Sequence, residues 1–204
     1  MGVKRNFEIT PDTHLWNAFR KGSEPAFCEI YTNYVQVLFN YGIRFSSDRE
    51  LVKDCIQDIF IHIYNKKENL GDTNDIKLYL FKSLKRELIR TLQKKQKKIS
   101  WDDADLPFLA SYSAEIDIAA NERQAEQNKI LQQALNTLPD RQKEVLFLRF
   151  VEEMEYEQIQ ELMGINYQSV RNLMARSIQN LRGKLKEITT VQLYLIIISR
   201  FLGI

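Results

Sequence analysis

Helix breakers are scarce in this chain: its 204 residues include 7 Gly and 4 Pro. Long helices can therefore run uninterrupted, and all-α is the natural fold class. Cysteine is equally rare, with Cys28 and Cys55 the only two. That excludes a disulfide framework, and both fall inside amphipathic helical patterns, where they are expected as small buried hydrophobes. His14 and His62, the only histidines, lie in separate helical segments. No Cys/His set has metal-ligand spacing, so neither a metal nor a cofactor is expected. Paired carboxylates in a metal-binding pattern and a nucleophile–base set are missing as well, which argues against an enzyme. The opening residues, MGVKRNFEIT, lack the apolar core of a signal peptide, and the cytoplasm is the expected compartment. One strongly apolar run stands out, ITTVQLYLIIISRFLGI from Ile188. It is shorter than the roughly 20 residues of a spanning helix and carries Gln192 and Arg200. It is expected to be covered, either by packing back or by a partner.

What is present is an uneven distribution of charge. The net charge is only +2, yet residues 82–98 carry Lys82, Lys85, Arg86, Arg90, Lys94, Lys95, Lys97 and Lys98 against Glu87 alone. In the same helix Leu80, Phe81, Leu84, Leu88 and Leu92 form the buried stripe. The basic run reads either as a solvated face or as a surface for a phosphate backbone. Residues 99–127 reverse the sign, with Asp102, Asp103, Asp105, Glu115, Asp117, Glu122 and Glu126 against Arg123. With Pro107 and several serines, this stretch reads as an acidic solvated tether.

Before the basic helix, the pattern predicts three others. LWNAFRKG closes at Gly22 with Leu15, Trp16 and Phe19 on one side. Ser23 caps the next, with Pro25 in the first turn and Phe27, Ile30, Tyr31, Tyr34, Val35, Leu38 and Phe39 as an aromatic core stripe. Ser46–Asp48 caps the third, where Leu51, Val52, Cys55, Ile56, Ile59, Phe60 and Ile63 are apolar. Asp54, Gln57 and Asp58 share its opposite face. The reading is thus two small helical domains, 10–98 and 119–186, joined by the acidic linker 99–118 and followed by an apolar tail, 187–204.

The second domain contains EYEQIQELMGINYQSVRNLMARSIQNLRGKL, Glu155 to Leu185. It reads as two short helices broken at Gly164-Ile165-Asn166. Gly164 suits the left-handed backbone of a sharp turn, and Asn166 is a good N-cap for the second helix. Ile159, Leu162 and Met163 line the first helix; Val170, Leu173, Met174, Ile178 and Leu181 line the second. Gln168, Arg171, Asn172, Ala175 and Gln179 remain outward, with Arg176 at the edge. An ordinary helical hairpin with a polar face fits this pattern; so does a helix-turn-helix carrying long hydrogen-bonding side chains.

Taken together, the segments resemble a bacterial RNA polymerase sigma factor of the extracytoplasmic-function group of the sigma-70 family. LWNAFRKGSEPAFCEIYTNYV, DCIQDIFIHIY, LYLFKSLKRELIRTLQKKQKK and LNTLPDRQKEVLFLRF with the helix-turn-helix occur in that family's order. The resemblance implies partners: core RNA polymerase, promoter DNA and an anti-sigma factor. It implies that Asp54, Gln57, Asp58 and Phe60 dock on the clamp coiled coil of the largest polymerase subunit, with Phe60 equally readable as core. It implies that Lys82, Lys85, Arg86 and Arg90 hold the melted minus-10 strand. It also implies that Gln168, Arg171, Asn172 and Arg176 read the minus-35 element. Three departures stand out: Gln160 replaces a small residue, Glu155 replaces a better N-cap, and Lys53 replaces an acid. A stand-alone regulator of the response-regulator output type is the alternative. It accounts for 138–185 but not for the 54–60 face or the basic helix.

Overall fold

The computed structural model describes residues 11–96, 106–109 and 132–184. The lead-in helix expected at 119–131, the tail 187–204, Lys97, Lys98 and most of the linker lie outside the described residues. Every regular element among the described residues is helical. The chain divides into two compact units, 1–43 with 47–100, and 44–46 with 101–204.

The first unit holds α1 (Pro11–Arg20), α2 (Glu24–Gly42), α3 (Arg49–Lys66) and α4 (Ile76–Gln96), with a 3₁₀ turn at Lys67–Asn69. Gly22 ends α1 at φ 94°, and Ser23 caps α2 by accepting the Ala26 N–H at 3.4 Å. Asp48 caps α3 through the Leu51 N–H at 3.1 Å and also accepts from Lys95 of α4 at 2.9 Å. Those bonds, the backbone one first, hold its carboxyl below the usual range. Asp75 accepts the Leu78 N–H at 2.8 Å and Asp12 of α1 accepts the Ile76 N–H at 2.9 Å, so α1 helps start α4. Nearby Tyr34 is pushed up to about 12, mainly by burial and then by Asp12 and Asp75. Trp16, fully buried, donates from Nε1 to the Gly71 carbonyl at 2.9 Å and meets Tyr79 at 4.9 Å between ring centroids. Helices α2, α3 and α4 pack on one another. At Gly42 of α2 the approach is so close that a Cβ would lie 2.5 Å from Val52 Cγ1 of α3.

Two core expectations fail in α2. Cys28 is exposed, because the helix buries Ala26 and Ile30, and residue 28 lies about 200° round from 26. Tyr31 is 44% exposed for the same reason: the aromatic stripe is wider than the face α2 buries. Cys55 is buried as expected, its thiol pushed up mainly by desolvation.

In the second unit, α5 covers 132–136, followed by α6 (Asp140–Phe150), α7 (Tyr156–Met163) and α8 (Tyr167–Lys184). Pro139 precedes α6 in extended conformation, as a residue at a helix start should. Helices α6, α7 and α8 pack together, α8 lying against both others. The expected solvated tether is corrected at its centre. Leu106 and Phe108 are 4% and 1% exposed, and Phe108 meets Phe147 of α6 at 5.8 Å. Two large apolar residues flanking Pro107 gain more from burial than an acidic spacer would from water.

Candidate nucleic-acid interface and docking face

Three surfaces carry the residues singled out in the sequence. On α3, Asp54, Gln57 and Asp58 are all exposed on one face, since their spacing of three and four residues keeps them together. Lys53 is occupied by Glu50 at 2.7 Å, so the acid-to-Lys departure is neutralised locally. Phe60 does not join this face. It is 3% exposed and forms the wall of an apolar groove of about 460 Å³ between α2 and α3. Phe27, Tyr31, Ile61 and Tyr64 line the same groove, with Tyr31 edge-on to Phe60 at 4.8 Å. Ile61 is 49% exposed beside Gln57 and Asp58. The sequence reading places Phe27 and Tyr31 in the core and does not single out Ile61 or Tyr64. The available signals were an aromatic stripe too broad for one buried face and an isoleucine interrupting a polar one.

Basic residues on α4 separate into two kinds. Arg86 and Arg90 are exposed, and Lys82 is half-buried. Lys85 is 3% exposed, so it is not a surface cation as expected. It follows Leu84 and precedes Leu88 by three, which turns its stem into the core stripe. Arg90 is bonded bidentately to Glu87, at 2.6 and 3.1 Å, and this bonding keeps its guanidinium more firmly protonated than usual. A second groove of about 690 Å³ runs between α3 and α4, lined by Asp58, His62 and Lys66 on one side and Tyr79, Arg86, Glu87 and Arg90 on the other. The structure thus brings Asp58 to the edge of the basic surface.

On α8 the expected geometry is present. Gly164 takes φ 62°, and its N–H and that of Ile165 turn back to the Gln160 carbonyl. Asn166 accepts the Ser169 N–H at 2.8 Å, capping α8 as foreseen. Val170, Met174 and Leu181 are buried, and Ser177 is fully buried with its Oγ donating to Leu173 O at 2.7 Å. Gln168, Arg171, Asn172, Ala175, Arg176 and Gln179 are all exposed. Gln168 Nε2 donates to Asn172 Oδ1 at 3.0 Å, which pre-aligns two amides along the outer face. The supposed weak cap at Glu155 is corrected. Its N–H donates to Gln158 Oε1 at 2.7 Å, half of a capping box, and its carboxylate accepts from Arg149 at 3.1 Å.

Among the described residues no group of three or more His, Cys, Asp or Glu side chains forms a metal site. No described helix is long and apolar enough to cross a membrane.

Comparison with known proteins gives matches in both units. Residues 30–98 match the family model of sigma-70 region 2, and residues 128–181 match that of sigma-70 region 4. Together the two matches span more than half of the chain. A curated relative, the ECF RNA polymerase sigma factor SigM of Bacillus subtilis, is 23% identical over 76% of this chain and 91% of its own length. The ECF factor SigW of the same organism is 22% identical over 83% and 94%. SigF of Mycobacterium tuberculosis reaches 39% over a shorter stretch of 70 residues. Among solved structures, CnrH in complex with the cytosolic domain of CnrY superposes with a TM-score of 0.55 at 16% identity, covering 87% of this chain and 99% of that one. The sigma factor RpoE of Bartonella quintana, solved with the anti-sigma factor NepR, gives 0.57 at 19%, covering 80% and 98%.

Proposed function

The chain belongs to the extracytoplasmic-function group of the sigma-70 family, and we propose that its two units divide promoter recognition between them. It is a sigma factor: it binds core RNA polymerase and directs initiation of DNA-templated transcription. The observation that carries this reading is the pairing, in one chain, of the region 2 and region 4 matches. A stand-alone regulator leaves the first unit without a role.

In our assignment, Asp54, Gln57 and Asp58 form the polar part of the polymerase-docking face. A carboxylate pair on an exposed helix suits arginines on a partner helix through charge-assisted hydrogen bonds. Phe60 acts behind this face as the floor of the apolar groove, while Tyr31 and Ile61 provide exposed apolar area next to the acids. Such an apolar centre with a polar rim is the usual anatomy of a specific interface.

On α4, Lys82, Arg86 and Arg90 hold the melted minus-10 strand. Opening a duplex costs stacking energy, and cations on the backbone of the separated strand offset it. Lys85 supports α4 from within. On α8, Gln168, Arg171, Asn172 and Arg176 read the minus-35 element. Asn and Gln amides pair with adenine and Arg with guanine, each good bidentate contact discriminating by about 1–3 kcal/mol. The Gln168–Asn172 hydrogen bond must open or be shared when either amide meets a base.

The protein works in the cytoplasm, where polymerase and chromosome are, and no catalytic step is assigned to it. An anti-sigma factor is a further partner; two structural neighbours were solved with bound partner chains, one of them a named anti-sigma factor. The deciding experiment is transcription in vitro with purified core polymerase on fragmented genomic DNA. Start sites that require this chain support the reading. Binding of promoter duplex by the chain alone, with no start sites from added polymerase, would sink it in favour of a stand-alone regulator.

A further inference from the structure

We propose that Tyr167 is a further DNA-contacting residue of α8, its hydroxyl donating to one backbone phosphate beside the bases faced by Arg171 and Gln168, and that Tyr156 positions it. The proposal rests on the assignment of α8 as the reading helix.

Tyr167 is the first residue of α8 and is 40% exposed, one of few large hydrophobic side chains so exposed among the described residues. Four residues before Arg171, it stands on the same helical face. Its ring is nevertheless held. It meets the Tyr156 ring at 5.9 Å and 88°, an edge-on arrangement that the aromatic quadrupole favours. Tyr156 is held in turn by Arg149, whose guanidinium lies 5.6 Å from the ring centroid. Arg149 is tied to the Met154 carbonyl at 2.9 Å and to Glu155 at 3.1 Å. A chain of contacts thus runs from α6 through α7 to an exposed phenol on α8. Its hydroxyl has no hydrogen-bond partner among the described residues.

An exposed tyrosine normally loses rotamer freedom when it binds; here that freedom is already restricted on folding, so a contact made by this ring costs less. A ring fixed in this way cannot swing to follow different base edges. It suits a group found at every step of the duplex, the phosphate, and such contacts set register without reading sequence. The first turn of α8 also carries the positive end of the helix dipole, which favours an anion there. Tyr167 therefore sets where α8 sits in the groove, and Gln168, Arg171 and Asn172 read from that position.

The test uses the full chain assembled with core polymerase. The probe is a duplex selected by the wild-type holoenzyme from a pool randomised at the upstream promoter element. Tyr167→Phe keeps the ring contact and removes the hydroxyl. It is expected to weaken binding by about fivefold, equally for every upstream sequence, and to abolish ethylation interference at one phosphate. Tyr156→Leu is expected to weaken binding similarly, and the double variant to lose little more than either single one. Arg171→Ala, by contrast, should relax base preference. Wild-type affinity and an unchanged ethylation pattern for Tyr167→Phe overturn the proposal. So does a preference for thymine over uracil that Tyr167→Phe keeps and Tyr167→Leu loses, which would mean that the ring reads a base methyl. If Arg171→Ala keeps the wild-type preference, the assignment of α8 itself fails.

Discussion

Single residues decide the turn on which the second unit depends. Gly164 sits at φ 62° with open space where a Cβ would project, so alanine there is strained by its backbone alone. Gly164→Ala should cost about 1 kcal/mol, read as a lower thermal midpoint with the fold retained. Gly42 has the opposite problem: an ordinary helical backbone and no space beside Val52. Gly42→Ala should cost about 1–3 kcal/mol through overpacking of α2 on α3. Lys85 shows that chemical type does not determine role. As a residue with 3% exposure it belongs to the core stripe of α4, so Lys85→Ala should lower the thermal midpoint. Arg86→Ala should leave that midpoint alone and weaken permanganate reactivity of the transcription bubble. Equal effects on stability from both substitutions would refute this separation. Asp48 gives a pH dependence. Its carboxyl is depressed in the folded state, so its contribution is full above the unfolded value and is lost as pH falls through the lower folded one. Asp48→Asn should flatten the acid limb of the stability profile, measured by thermal midpoint against pH.

At the scale of elements, our assignments rest on whole helix faces. The outward face of α3 has acids at 54 and 58 and a half-exposed isoleucine at 61, and neither kind of residue alone would make an interface. Asp58→Arg should abolish co-purification with core polymerase while circular dichroism stays unchanged. Ile61→Ser should weaken it by about 1–2 kcal/mol, the value of an apolar side chain partly buried by a partner. Retention of Asp58→Arg on polymerase would remove α3 from the docking assignment. The outward face of α8 was legible residue by residue, because capping by Asn166 sets the start of the helix and a 3.6-residue period then assigns every side. The α2–α3 groove was not legible, because two helices create it and neither pattern shows the other. Buried Phe60 and exposed Tyr31 have similar sequence surroundings; only the packing of α2 on α3 separates them.

For the whole molecule, a net charge of +2 hides a basic α4 and an acidic segment after it. In our assignment neither unit needs to bind DNA tightly alone, since polymerase would bring both to one promoter and linked contacts multiply. Severing the chain between 110 and 131 also parts buried Phe108 from Phe147 of α6, and is expected to reduce promoter-directed transcription by orders of magnitude. Full activity from the mixed halves would show that linkage is dispensable.

The sequence by itself determined the helical class, the helix-turn-helix and the polarity of each helix, because caps, turns and periodicity are local and their physics acts within a few residues. It also carried the order of segments that places the chain in its family. Only the tertiary structure decided which members of those patterns reach the surface. Burial of Lys85, Phe60, Leu106 and Phe108, exposure of Cys28 and Tyr31, and the bracing of Tyr167 by Tyr156 and Arg149 all depend on which helix lies alongside. Side-chain environment is set by neighbours distant in the chain, and the periodicity of one helix does not encode the surface of another.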